Sequence, residues 1–471
     1  MAEEMLSVGL DVGTTTTQLI VSQLKIENQA SAFTVPDMTI TDRTILYESP
    51  IHFTPLLDQS HVDGEGIRRI VSQEYENAHI SRDQVDTGAI IITGETSRKE
   101  NARAVLSALS DYAGEFVVAT AGPDLESVLA ARGAGAVDHS ARTGARVLHM
   151  DIGGGTSNLA WIEDGKIIAT GCLNVGGRLL KFDESGTVTY VSPVLSGLTD
   201  LRPGHHATDE QISHLTQTLT QALEMAAGLR PPTDLLPQLT TSEAKSLPHP
   251  VIANQSADWC GDLKGSEGPY TISFSGGVAD CIETDLPPLQ FGDMGPALGK
   301  AIRQSRLCQN YRLGRHTIRA TVIGAGCHSA QLSGSTVFHR SITFPLKDLP
   351  VIQISQKEQQ STDLPHLIRS RQASQDTTAV LALPGYPSAS YAQTTALAEH
   401  LLQGLPSGPI YLTVEQDMAK ALGQAIALRT DPSRPLLCLD RLRLPEGSYL
   451  DVTTPIGPAL PVVIKTLILS Q

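Results

Sequence analysis

Two short segments of this chain set an aspartate before a turn of glycine and threonine. They are Leu10-Asp11-Val12-Gly13-Thr14-Thr15-Thr16-Thr17 and Met150-Asp151-Ile152-Gly153-Gly154-Gly155-Thr156-Ser157. Each follows an apolar run that predicts a strand, Met5 to Val12 and Arg146 to Ile152. A strand entering such a turn presents successive backbone N–H groups, a concavity suited to phosphate oxygens. The aspartate at the strand end offers a hard carboxylate oxygen to Mg²⁺ or to a water on it. Two such loops facing each other would hold a polyphosphate from both sides, as a nucleotide clamp.

The elements around the second loop suit this task. An apolar run, Asn158 to Ile162, is followed by Glu163-Asp164-Gly165-Lys166 and a second run, Ile167 to Thr170. Asp-Gly between apolar runs is a hairpin signal. The chain continues through Gly171-Cys172-Leu173-Asn174-Val175 to the pair Gly176-Gly177. Strand, Gly/Thr turn, strand, hairpin, strand resembles the opening of the actin-like ATPase fold shared by actin, sugar kinases and the seventy-kilodalton heat-shock chaperones. The resemblance implies an α/β architecture, an actin-like (RNase H-like) two-lobed ATPase fold, here with an additional α/β accessory region.

Three further segments occur in the order that superfamily needs. Asp124 to Ala134 has small and apolar residues at helical spacing and begins about 25 positions before Asp151. It resembles the first connecting helix, whose early polar residue, here Glu126, faces the attacking water. Tyr270 to Phe274 predicts a strand running into Ser275-Gly276-Gly277-Val278, where glycines let the backbone lie close to adenosine. Phe291 to Ile302 resembles the second connecting helix. On this resemblance the cofactors are ATP and Mg²⁺. Asp11 and Asp151 would hold the metal directly or through water, and Glu126 or Asp151 would order the hydrolytic water. Gly13, Thr14, Thr15, Gly153, Gly154, Gly155 and Thr156 would meet the phosphates, and Gly276 and Gly277 would lie beside adenosine.

Each segment alone has a plainer explanation. A single D-x-G with threonines is commonly a strand end and turn, and an acid such as Glu126 suits the first turn of any helix. Val322-Ile323-Gly324-Ala325-Gly326-Cys327-His328-Ser329 resembles a dinucleotide fingerprint. It lacks the third glycine or alanine and an acid about 20 positions on, so a Rossmann site is set aside. No G-x-x-x-x-G-K-[ST] run exists.

Composition narrows the partners. With 35 basic and 50 acidic side chains the chain carries −15, which argues against nucleic acid and anionic membranes as partners. The six cysteines form no C-x-x-C pair and suggest buried thiols in a reducing, cytoplasmic setting. The acidic start, Met1 to Leu6, passes straight into the first strand and leaves no room for a signal peptide. No apolar stretch approaches the ~20 residues of a membrane span.

Three regions are expected among the 471 residues. Residues 1–145 form the first lobe, and 146–306 the second, with a Pro-, His-, Ser- and Thr-rich insertion at about 203–255. Residues 307–471 form the accessory α/β region, with loop-like stretches at Ser355–Gln375 and Arg429–Pro435.

The whole chain is similar to the family of ethanolamine ammonia-lyase reactivating factors. The carrying segments are Leu10–Leu24, Ile92–Ala102, His149–Arg178, Phe274–Ile282, Val322–Phe338 and Leu460–Leu469. This resemblance implies a chaperone that uses ATP and Mg²⁺ to release damaged cobalamin from its partner, the adenosylcobalamin-dependent ethanolamine ammonia-lyase, so that intact coenzyme rebinds. The D-x-H-x-x-G signature of many base-off cobalamin enzymes is missing, which fits work on the lyase rather than possession of the cofactor. The family also brings a bacterial microcompartment and a homodimer into consideration. Outside it stand a small-molecule kinase of the same fold, for which no dedicated base is visible, and an actin-type filament or scaffold.

Overall fold

The structure, a computed structural model, describes residues 3–13, 16–29, 38–58, 61–93, 96, 101, 105, 109, 117–120, 123–241, 270–328, 330–333, 336–373, 378–444, 448–455 and 460–466. Thr14, Thr15 and residues 242–255 of the expected insertion lie outside the described residues.

Two sheets repeat one plan. In the first lobe, β1 (Glu3–Val12), β2 (Thr16–Asn28) and β3 (Met38–Glu48) run antiparallel, and β4 (His52–Phe53) adds to β2. β5 (Thr87–Ile92) and β6 (Val117–Thr120) continue in parallel, giving β3-β2-β1-β5-β6. Strand alternation decides what each face does. Val8, Leu10 and Val12 enter a core with Ile67 and Val71 of the Gly64–Asn77 helix. Ser7, Gly9 and Asp11 alternate with them, and the Ser7 hydroxyl donates to the Gly326 carbonyl.

In the second lobe β7 (Val147–Ile152), β8 (Ser157–Glu163) and β9 (Lys166–Leu173) repeat the meander, and Asp164 and Gly165 turn the hairpin at positive φ. β10 (Leu180–Phe182) and β11 (Val188–Val191) form a separate ribbon. β12 (Thr271–Ser275) and β13 (Tyr311–Leu313) then extend β7 in parallel, in the order β13-β12-β7-β8-β9. Leu148, Met150 and Ile152 pack against Ile212, Leu215 and Leu219 of the Asp209–Ala226 helix. That helix falls inside the segment expected to be an insertion, yet it supplies the core of the lobe.

The lobes exchange helices. Pro123–Gly133 follows β6 of the first lobe and lies on β7, β8 and β9 of the second. Ala320–His328 follows β13 of the second lobe and lies on β1, β2 and β5 of the first. The two cross at glycines: a Cβ on Gly133 would collide with the Ala320 carbonyl, and one on Gly324 with the Leu129 carbonyl. Two like-ordered sheets with exchanged helices make the actin-like fold.

Two expectations are corrected here. The second connecting helix was placed at Phe291–Ile302. A helix does form there, Gly295–Arg303, but Leu298 and Ile302 bury it in the second lobe's own core. The crossing helix is Ala320–His328, the run set aside as a dinucleotide turn. The second lobe therefore continues past 306, because β13 belongs to its sheet.

Beyond it, β14 (Ala330–Leu332), β15 (Phe338–Arg340), β16 (Leu346–Gln353), β17 (Val380–Leu383), β18 (Ile410–Val414), β19 (Leu436–Asp440), β20 (Ser448–Val452) and β21 (Pro461–Thr466) form one sheet. Its order is β14-β21-β20-β16-β17-β18-β19-β15, parallel from β16 to β19. The helices Leu364–Ala373, Tyr391–Gly404 and Ala419–Ala427 bury one face of it with Leu381, Leu412 and Cys438. Part of the loop expected at Ser355–Gln375 is thus helical.

Candidate nucleotide site

The two Gly/Thr loops have one backbone design. Gly13 N–H donates to the Thr16 carbonyl at 2.9 Å, and Gly153 N–H to the Thr156 carbonyl at 2.9 Å. Both loops are tied down through carbonyl oxygens. The Thr54 and Thr96 hydroxyls donate to Gly13 O at 2.8 and 3.0 Å. Gly177 and Arg178 N–H groups donate to Gly153 O and Gly154 O at 3.0 and 2.7 Å. In the second loop the Gly153 and Gly154 carbonyls are thereby occupied. A Cβ on Gly155 would meet nothing within 4 Å among the described residues, so the second loop is open there.

Asp11 and Asp151 end the central strands of their sheets. Thr93, just past β5, donates to Asp11 Oδ1 at 2.9 Å. Ser275, at the end of β12, donates to Asp151 Oδ1, and Thr321 of the crossing helix also donates to Asp151. Burial pushes the Asp11 carboxyl up to about 7, with the Asp151 charge adding to the rise, and burial pushes Asp151 up to about 6. The structure therefore brings the two carboxyls within electrostatic reach of each other.

Two further residues were missed by the sequence reading. Gln18 pairs with Asp11 across β1 and β2, and Asn158 pairs with Asp151 across β7 and β8. Both side chains are buried, and Gln18 Oε1 and Asn158 Oδ1 have no hydrogen-bond partner among the described residues. The available signal was an amide seven positions after each aspartate, 11 to 18 and 151 to 158. Two raised carboxyls and two unpartnered amide oxygens make an oxygen-only donor set, which fits Mg²⁺. Among the described residues no three His, Cys, Asp or Glu cluster as a metal cage.

Gly276 has φ 86°, and a Cβ there would collide with the Ile152 carbonyl. Its Val278 neighbour donates N–H to that same carbonyl at 3.1 Å. Gly276 thus locks this turn against the strand that leads into the second Gly/Thr loop. A Cβ on Gly277 would meet only Ile318 Cδ1 at 3.8 Å, so Gly277 faces open space. Glu126 sits in the first turns of Pro123–Gly133. Neighbouring Asp124 accepts from Thr170, and Ser127 donates to Gly171 O at 3.4 Å, which sets this turn against β9, two strands from Asp151.

Comparison with known proteins places the chain. The family model described as ethanolamine utilisation protein EutA matches residues 3–470. Ethanolamine ammonia-lyase reactivase EutA of Salmonella typhimurium is 37% identical over 479 residues, covering 98% of each chain. The protein of the same name from Escherichia coli is 37% identical over 476 residues, also covering 98% of each. A solved Ppx/GppA enzyme of Aquifex aeolicus is similar over 68% of this chain and 99% of its own, at 12% identity and a TM-score of 0.40. No helix among the described residues is long and apolar enough to cross a membrane. By the family match and by its near full-length relatives, the chain belongs to the EutA family of ethanolamine utilisation proteins.

Proposed function

We propose that this chain is an ATP-dependent reactivase of ethanolamine ammonia-lyase, a chaperone that frees the inactivated lyase of damaged cobalamin so that intact adenosylcobalamin rebinds. Relatives bearing the reactivase name support the target. The observation that carries the ATP chemistry is the facing of Asp11 and Asp151, each beside a Gly/Thr loop and an unpartnered amide oxygen.

In this reading Asp11, Asp151, Gln18 and Asn158 hold Mg²⁺ directly or through its waters. When bound, the ion offsets charge on the β- and γ-phosphates. Gly13, Thr14 and Thr15 meet the phosphates from the first lobe, and Gly153 to Thr156 from the second. Gly277 borders adenosine, with Gly276 fixing the turn. Glu126 or Asp151 orders the attacking water. Closure draws the loops together about the glycine crossing of the two exchanged helices, and hydrolysis lets them part. Ala320–His328 leads within two residues into β14, which pairs with β21 of the accessory sheet. A shift of the crossing helix is thereby passed to that sheet along the chain.

Lyase inactivated with hydroxocobalamin, mixed with this protein, Mg-ATP and fresh coenzyme, is expected to regain activity. Recovery without nucleotide, or none with it, contradicts the proposal.

A further inference from the structure

A row of buried polar groups stands behind Asp151. His149 precedes it by two residues on β7, so both side chains share a face, and His149 is fully buried. On β12 the register sets Ser273 opposite His149 and Ser275 opposite Asp151. His149 Nδ1 lies 3.2 Å from Ser273 Oγ, and Nε2 lies 2.9 Å from Ser275 Oγ. Ser275 Oγ in turn donates to Asp151 Oδ1.

The protons can be assigned from these contacts. The imidazole is fully buried, and the contacts at its two nitrogens are serine hydroxyls rather than carboxylates, so it is held as the neutral ring, with one donor and one acceptor nitrogen. Ser275 has one proton, and it goes to the Asp151 carboxylate. Its oxygen then accepts from Nε2–H of His149, leaving Nδ1 to accept from the Ser273 hydroxyl. Every donor points one way, from Ser273 through His149 and Ser275 to Asp151. Hydrogen bonds aligned in sequence polarise one another, and neutral members avoid the cost of a buried charge.

We propose that His149 and Ser275 are positioning residues, a one-way hydrogen-bond chain that fixes the rotation of the Asp151 carboxyl for its work on the nucleotide. This rests on the nucleotide reading of the site. A carboxyl free to rotate still lies beside bound Mg-ATP but less often presents the right oxygen. Turnover therefore suffers more than binding.

Isosteric variants of the full chain test this. Glutamine keeps an N–H near the place of Nε2, whereas methionine has the same length and no donor. His149→Met and Ser275→Ala are each expected to lower ATP turnover about tenfold, with KM for Mg-ATP within about twofold. His149→Gln and Ser275→Thr are expected to stay within about threefold of the parent. Equal loss in His149→Met and His149→Gln, or a loss confined to KM, overturns the proposal, since packing alone would then explain it. Nitrogen-15 shifts of the nucleotide-free parent, assigned by the resonance lost in His149→Gln, give a second readout. Nε2 protonated and Nδ1 bare is the expected tautomer, and the reverse breaks the chain. A parent protein without ATP turnover defeats the nucleotide reading instead, while the tautomer still decides the chain.

Discussion

The two half-sites share a plan and differ behind their aspartates. Two residues before Asp11 stands Gly9; two residues before Asp151 stands His149. A Cβ on Gly9 would lie 2.6 Å from Val322 O and 2.8 Å from Gly326 N, so the crossing helix rests on bare backbone. At His149 the same position is filled by an imidazole bonded to two serines. The first half-site is set by close packing and the second by polar bonds. One helix meets both, through Gly326 at Gly9 and through Thr321 at Asp151. Packing of this kind has no slack, whereas a hydrogen-bond chain can be altered one member at a time. Mutations behind Asp11, at Gly9, should therefore act on the fold, and those behind Asp151, at His149, on the chemistry.

The sharpest test of close packing is Gly324→Val. The new side chain would collide with the Leu129 backbone, which cannot move aside as a flexible side chain would. A loss of about 3 kcal/mol or more is expected, read by urea unfolding, and little soluble protein. An unchanged midpoint would mean that the helices do not cross as described. The two aspartates come next. Asp11→Asn and Asp151→Asn should each reduce Mg-ATP hydrolysis by more than about a hundredfold. Both should fold, because each removes a buried acid whose charge is unfavourable without a cation. Parental turnover in either variant would remove that carboxyl from the site.

The raised carboxyls also make stability depend on pH. A carboxyl that binds its proton more tightly in the folded chain than in the unfolded one stabilises the fold at low pH. That contribution is lost as pH rises through the folded value. With the carboxyls at about 4 when unfolded, and Asp11 at about 7 and Asp151 at about 6 when folded, the nucleotide-free protein should lose stability from about pH 4 to pH 7, relative to the Asp11→Asn, Asp151→Asn double variant. Mg-ATP affinity should rise over the same window, as the carboxyls ionise to meet the cation. Thermal midpoints with and without Mg-ATP measure both. Parallel curves for parent and double variant would show that these acids do not titrate there.

How much of this was legible follows from what each element had to do. The strands ending in Asp11 and Asp151 were visible because an apolar run, an acid and a glycine turn occur consecutively. The Asp209–Ala226 helix was not legible as core, since the surrounding Pro, His, Ser and Thr suggested an excursion. The crossing helix was misassigned because small residues have two meanings. In Gly295-Pro296-Ala297-Leu298-Gly299, Gly299 fits against Cys281 within one lobe. In Gly324-Ala325-Gly326 the glycines admit the backbones of Leu129 and Gly9 from elsewhere in the chain. Only the tertiary neighbours tell these apart. Leu364–Ala373 escaped notice because only Leu364, Pro365 and Ile368 of its ten residues are buried. Gln18 and Asn158 needed the strand register, which sets each opposite its aspartate.

The Gly276–Gly277 turn gives the mildest test, and it separates packing from binding within two adjacent residues. Gly276 was expected to lie against the base, so that a branched side chain would occupy the adenine's place. Its missing Cβ instead points at the Ile152 carbonyl, and its φ of 86° disfavours any other residue. Gly276→Val should therefore destabilise the second lobe, with weaker nucleotide binding only as a consequence. At Gly277 φ lies outside the left-handed region, and among the described residues an added Cβ would meet only Ile318 Cδ1, at 3.8 Å. Gly277→Val should keep the parental unfolding midpoint and weaken ATP about tenfold, the cost of roughly 1.4 kcal/mol of lost contact. Its affinity for inorganic triphosphate, which has no adenosine, should not change. If triphosphate and ATP weaken alike, the added methyls disturb the phosphate loops, and the adenosine lies elsewhere. Calorimetric titration of both ligands into both variants decides between these outcomes. A stable Gly276→Val beside an unstable Gly277→Val would invert the assignment of the two glycines.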